Sequence, residues 1–170
     1  MAKIISESLI LKLSHKGEEK LIDLGRLFNE NPNKVVSVIG SINPDGSPNT
    51  APISLFYSPD KKTIYTGMVT DSATIQNIKA DPRIIIETIY TGDISFGISG
   101  KATIVKEPLE SNSKTAAVRI EVNSVKRDTS PAQIITDGIK TTPRTERAAE
   151  YEKAVLKEIT EIANSEKQEE

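Results

Sequence analysis

Ser41-Ile42-Asn43-Pro44-Asp45-Gly46-Ser47-Pro48-Asn49-Thr50-Ala51-Pro52-Ile53 decides the fold. The residues before it, Val35 to Ile42, are rich in β-branched side chains and read as a first strand. Asn43-Pro44-Asp45-Gly46 is a turn, in which Pro44 fixes one dihedral and Gly46 supplies positive φ. From Asn49 to Tyr57 the chain alternates again, setting Ala51, Ile53, Leu55 and Tyr57 on one face of a second strand. Pro52 inside that strand implies an edge, a bulge, or a ladder position whose N–H is not required.

Downstream the same logic continues. Ser58-Pro59-Asp60 is a turn and Thr63 to Gly67 a third strand. Asp71-Ser72 caps a short helix, Ser72 to Ala80, with Ile75 and Ile78 facing inward, and Asp81-Pro82 stops it. Arg83 to Tyr90 is a fourth strand, apolar on both faces at first and therefore central. Gly92-Asp93 turns the chain into a long fifth strand, Ile94 to Lys106, where Phe96, Ile98 and Ile104 share a face. Gly97 and Gly100 within it suggest bends or a close backbone approach. Ala116 to Val125 is the sixth strand, with Val118, Ile120 and Val122 inward.

Around this β block lie two helical segments. Glu18 to Asn29 carries Leu21, Leu24 and Phe28 at helical spacing, and Asn31-Pro32-Asn33 ends it. After a loose stretch from Ser130 to Pro143, Thr145 to about Ala163 shows one apolar stripe of Ala148, Tyr151, Val155, Ile159 and Ile162. Ser165 to Glu170 reads as a charged, frayed tail. The expectation is one domain over residues 1–170, mainly β. Its barrel is antiparallel and six-stranded, over about 33–126, with a short helix between strands three and four and a C-terminal helix over about 145–163.

Composition removes whole classes of chemistry. The 170 residues include no cysteine, one histidine and no tryptophan, so thiol catalysis, disulfides and multi-histidine metal sites are excluded and no metal is expected. His15 lies in the polar connector Ser14-His15-Lys16-Gly17 and reads as a solvated loop residue. With 22 basic against 24 acidic residues and a net charge of -2, no concentrated basic field exists for nucleic acid. The N-terminal segment lacks the pattern of a signal peptide, and no apolar run reaches the 18 residues of a membrane helix. A cytoplasmic protein without nucleic-acid or membrane partners is the expectation. Gly100-Lys101 is no phosphate loop, because Ser95 replaces the first glycine and no helix follows. No dinucleotide glycine motif follows a strand.

One junction has chemical interest of its own. A strand ending in Tyr65-Thr66-Gly67 is followed by a helix start bearing Ser72 and Thr74, and such a helix start can hold an anion. An ordinary capped helix plugging the barrel end accounts for the same residues.

The order of these pieces resembles the FMN-binding split-barrel family that includes pyridoxamine 5′-phosphate oxidase. The segments that carry the resemblance are Asn43 to Pro52, Ile64-Tyr65-Thr66, and Ser72 to Arg83, and it spans roughly Leu21 to Val125. It implies a split barrel forming a homodimer, with FMN at the subunit interface and a small-molecule substrate; a deazaflavin is the alternative cofactor. Asn49, Thr50, Ala51, Pro52 and Ile53, with Ser54, would run beside the flavin ring, their amides bonding its polar edge. Thr66, Gly67, Ser72, Ala73, Thr74 and Asn77 complete the cofactor-binding set, the helix start holding the phosphate. Where the family carries a basic side chain, this chain has Ala73 and Thr74, so Lys79, Arg83 or a partner residue would have to supply charge. The absence of tryptophan sets it apart from vitamin B6 oxidases. The function implied is an FMN-dependent oxidoreductase of unnamed substrate. Alternatives are a non-catalytic flavin-binding or sensing module and a deazaflavin-dependent reductase. No side chain stands out as a catalyst.

Overall fold

The computed structural model describes residues 10–15, 18–32 and 34–169. In chain order the elements are β1 (Ile10–His15), β2 (Glu18–Asp23), α1 (Leu24–Glu30), β3 (Ser37–Ile42), β4 (Pro48–Ile53), β5 (Phe56–Tyr57) and β6 (Thr63–Val69). Then follow α2 (Ala73–Ala80), β7 (Arg83–Tyr90), β8 (Ile94–Lys106), β9 (Thr115–Arg127) and α3 (Glu146–Glu169). β1 and β2 form a separate hairpin, while the other strands form one antiparallel sheet in the order β4-β3-β7-β8-β9-β6-β5.

β4 and β5 are therefore the two edges of this sheet, yet only Ser54 and Leu55 separate them in the chain. Three Cα steps span at most about 11 Å. The sheet must curl until its edges nearly meet, which makes it a split barrel. The barrel interior is filled by Ile39, Ile64, Ile86, Phe96, Ile98 and Ile120, each at most 1% exposed, and by a Phe28–Phe56 stack with centroids 4.7 Å apart. α2 closes one end. Ser72 caps it, accepting from the Ile75 amide, and Ile75 and Ile78 enter the core.

Three sequence expectations are corrected. The sheet has seven strands, because the predicted second strand divides: residues 48–53 belong to one edge and 56–57 to the other. Alternation could not reveal this, since the odd positions stay covered across the break while changing cores: Ala51 and Ile53 pack in the barrel with Phe56, and Leu55 and Tyr57 pack under α3. The predicted helix from Glu18 begins only at Leu24; residues 18–23 pair with β1 across a register from Ile10↔Asp23 to His15↔Glu18. His15 thus ends a strand instead of sitting in a loop, and the Lys16-Gly17 part of that connector lies outside the described residues. Residues 165–169 of the supposed frayed tail are part of α3, and two of their side chains are docked. Glu166 accepts from the Tyr65 hydroxyl (2.7 Å) and from Arg119 (2.9 Å), and Lys167 donates to the Pro59 carbonyl (3.0 Å). Glu170 and the first nine residues, on which the signal-peptide reading rests, are outside the described residues.

α3 lies on the outer face of β6 and β9 and builds a second core there from Leu55, Leu109, Ala117, Val155 and Ile159. The close approach requires Gly67: a Cβ at that position would stand 2.6 Å from Val155 Cγ1. Among the described residues no helix is long and apolar enough to cross a membrane.

Glu158 ties the middle of α3 to the β8–β9 connection. Its carboxylate accepts from the amides of Glu110 (2.9 Å) and Ser111 (2.7 Å) and pairs with Lys106 at 2.9 Å. Burial alone would raise its pKa, but hydrogen bonds from Ser111, Lys106 and the Glu110 amide outweigh that and hold it down at about 2, against 4.5 for a free glutamate. The folded pKa is depressed, so this stabilisation is present above about pH 4.5 and is lost as the pH falls toward 2. Glu158→Gln is expected to cost about 1–3 kcal/mol at neutral pH and to flatten the loss of stability across that acid window. Urea unfolding at a series of pH values measures both.

Candidate functional site

The curl leaves a gap where β4 and β6 face one another without a shared ladder. A cavity of about 210 Å³ occupies it, lined by Ala51, Pro52, Ile53, Ser54 and Leu55 on one side and by Gly67, Met68 and Val69 on the other. Ile39 contributes to its wall and Ser72 and Thr74 stand at the α2 end. Seven of the residues expected from sequence are therefore brought together: Ala51, Pro52, Ile53, Ser54, Gly67, Ser72 and Thr74. Ile39, Leu55, Met68 and Val69 were missed as site residues. Each sits in a strand pattern that any core residue shares, so no local signal marks them.

The remaining expected residues serve the cavity from behind or stand beside it. Asn49 donates to Ser41 Oγ (3.1 Å) and Thr74 Oγ1 (3.3 Å), tying β4 to α2. Asn77, 2% exposed, donates to Ser41 Oγ (3.0 Å) and Asn43 Oδ1 (2.9 Å), fixing α2 to β3 and to the turn that follows it. Thr50 and Ala73 are exposed and are not part of the lining. Thr66 is wholly buried on the same face of β6 as Met68, and its hydroxyl has no hydrogen-bond partner.

Electrostatically the cavity is neutral, with no charged side chain in its lining. Lys79 pairs with Glu107 at 2.9 Å, and Arg83 is held by Asp81, its Nε donating at 2.9 Å. Both lie at the far end of α2 from Ser72, and eight helical residues separate the ends by about 12 Å. The idea that Lys79 or Arg83 charges the helix start is thereby corrected. What the helix start does offer is hydrogen-bond donors. The Ile75 amide donates to Ser72 Oγ (3.3 Å) and that of Gln76 to the Ser72 carbonyl (3.2 Å). The amides of Ala73 and Thr74 have no intrahelical acceptor, as in the first turn of any helix. The Ser72 and Thr74 hydroxyls accept in the bonds named above and keep their protons to donate. Among the described residues no cluster could hold a metal ion.

An open antiparallel barrel with a helix across one end and a cleft between its edges defines a split-barrel protein. The family model for pyridoxamine 5′-phosphate oxidase matches residues 29–148, most of the chain, and the protein belongs to that family. The match stops at the beginning of α3. No curated protein sequence matches the chain. Among solved structures it is similar to HupZ of Group A Streptococcus, with 20% identity, a TM-score of 0.52, and coverage of 69% of this chain and 95% of that one. It is likewise similar to a Lactobacillus delbrueckii protein proposed to be a pyridoxamine 5′-phosphate oxidase, with 15% identity, a TM-score of 0.50, and coverage of 62% and 93%. At these identities the likeness is one of fold.

The Asn77 bonds give the site its rigidity. Asn77→Ala removes one of the two donors to the buried Ser41 hydroxyl and the donor to Asn43 Oδ1, and is expected to cost about 1–3 kcal/mol. Chemical denaturation measures the loss, and faster amide exchange through α2 identifies its place.

Proposed function

We propose that the protein binds FMN in the split between β4 and β6 and acts as a flavin-dependent oxidoreductase on a small molecule, as a homodimer with the cofactor at the interface. The observation that carries this reading is the cavity itself, apolar along its walls and rich in donors at its α2 end, in a member of a family that generally binds flavins. The residues present fit the group. Ile39, Ala51, Ile53, Leu55 and Met68 form walls suited to a flat aromatic ring. The Ser72 and Thr74 hydroxyls and the free amides of Ala73 and Thr74 suit a phosphate at a helix N-terminus. The buried, unpartnered Thr66 hydroxyl is a further donor beside Gly67.

Two features support the dimer. A cavity of 210 Å³ is smaller than the roughly 300–1,000 Å³ typical of ligand pockets, so a second wall is required. Val69 at the rim is 48% exposed, and Ile85 and Ile89 on the outer face of β7 are 44% and 42% exposed, which leaves apolar surface for a second copy to cover. No acid, base or thiol lines the cavity, which agrees with redox chemistry supplied by the bound flavin. The chain's own contribution is to hold the ring, meet the phosphate and exclude water.

Titration of FMN and of riboflavin into flavin-free protein tests the reading. Both should bind with quenched fluorescence at micromolar concentration, and light scattering should return twice the chain mass. With Ser72→Ala and Thr74→Ala combined, FMN should weaken by about a hundredfold, since each bond to a charged group is worth roughly 1.5–3 kcal/mol. Riboflavin should change little. Absence of binding by either flavin removes the proposal, and an equal loss of both in the double variant moves the phosphate elsewhere.

A further inference from the structure

The register of β4 determines which main-chain groups face the cavity. The Asn43 amide donates to the Ser47 carbonyl at 2.9 Å, so these two residues form a hydrogen-bonded pair at the turn. From there the register runs without a shift from Ile42↔Pro48 to Ser37↔Ile53. In an antiparallel ladder bonded and non-bonded pairs alternate. Asn49, Ala51 and Ile53 therefore turn their N–H and C=O groups toward β3, and Pro48, Thr50 and Pro52 turn theirs away from it. β4 is the sheet edge, so nothing in the sheet receives them. Two of the three are prolines and lack an N–H. The free edge of this strand is thus a row of three carbonyls with one amide, that of Thr50.

Pro52 is the member of this row that lines the cavity. On the opposite wall β6 pairs with β5 only at Tyr65 and Thr66, leaving Gly67 to Val69 without a strand neighbour on that side. A ring entering here cannot be met at residue 52 by an amide. It meets a carbonyl, which water satisfies while the cavity is open and which needs a new donor once a ring displaces that water. We infer that the Pro52 carbonyl accepts a hydrogen bond from a ring N–H, so that this wall selects the N–H edge of the ligand and turns away a ring carbonyl or unprotonated ring nitrogen. This rests on the flavin reading above and reverses one expectation from sequence, that amides of this strand bond the ring. Flavins and deazaflavins both carry one imide N–H between two carbonyls, so the same wall serves either.

The test compares riboflavin with its N3-methyl derivative, using the whole protein freed of flavin. N3-methylation removes the donor and sets a methyl group against the carbonyl, and affinity should fall at least tenfold. Pro52→Ala adds an N–H to the same edge at a position where no ladder bond is disturbed. It gives a ligand carbonyl a partner, and the discrimination should shrink by threefold or more. Equal binding of riboflavin and the N3-methyl derivative by the unaltered protein overturns the inference while leaving the flavin reading in place. An unchanged ratio in Pro52→Ala overturns the role of the proline. Failure of riboflavin itself to bind overturns both readings together.

Discussion

Two residues, Ser54 and Leu55, carry the chain from one edge of a seven-stranded sheet to the other, and the rest of the structure answers to that short tether. Because three Cα steps reach about 11 Å at most, the sheet has to curl, and the curl decides what is inside. Ile39, Ile64, Ile86, Phe96, Ile98 and Ile120 come from five different strands and meet only because the edges are drawn together. On that side β6 pairs with β5 alone, at Tyr65 and Thr66, and β4 and β6 share no ladder. The gap that remains is the cavity, and the free edges beside it are its polar walls. Fold and site are two consequences of one connection.

A curled sheet has an outer face as well, and α3 covers the part that lies behind the site. Val155 occupies the space that a side chain at residue 67 would need, so a residue of the cavity rim and the second core share one contact. The helix is held at both ends and in the middle by groups of different kinds. Tyr151 meets Thr115 at 3.0 Å, Glu158 accepts from two amides, and Glu166 gathers Tyr65 and Arg119. Desolvation and the neighbouring Glu166 raise the Tyr65 pKa, so this phenol stays protonated and remains a donor throughout the physiological range. The family match ends where this helix begins, so nearly all of α3 lies outside the matched residues.

The site is built with hydrogen bonds instead of charge. Asn49, Asn77, Ser41 and Thr74 form one network that fixes α2 against β3 and β4, and it places the helix start at the mouth of the split. The bases closest to α2 in the chain, Lys79 and Arg83, are paired with their own acids at its other end. Burying a charge without a partner costs far more than burying a bonded amide, and a neutral cavity avoids that cost when empty.

Local chemistry written into the chain determined most of the elements. β-branched runs, the Asn-Pro-Asp-Gly turn, the Ser72 cap and the Asp81-Pro82 stop each act over a few residues, so strands and α2 were legible. Pro52 already confined its strand to an edge, a bulge or a ladder position that needs no N–H, and the strand order makes it an edge. Tertiary structure decided the rest. Whether residues 49–57 form one strand or two edges depends on which neighbours they find, and the odd positions are covered either way, Ala51 and Ile53 in the barrel and Leu55 and Tyr57 under α3. Whether residues 18–23 are helix or strand depends on β1, which only the folded chain brings alongside. The tail of α3 is ordered by Tyr65 and Arg119, roughly fifty to a hundred residues away in sequence. Spacing along the chain cannot show that Lys79 and Arg83 point away from Ser72, or that Met68 and Val69 wall a cavity. Such facts belong to contacts between distant segments, and no local pattern encodes them.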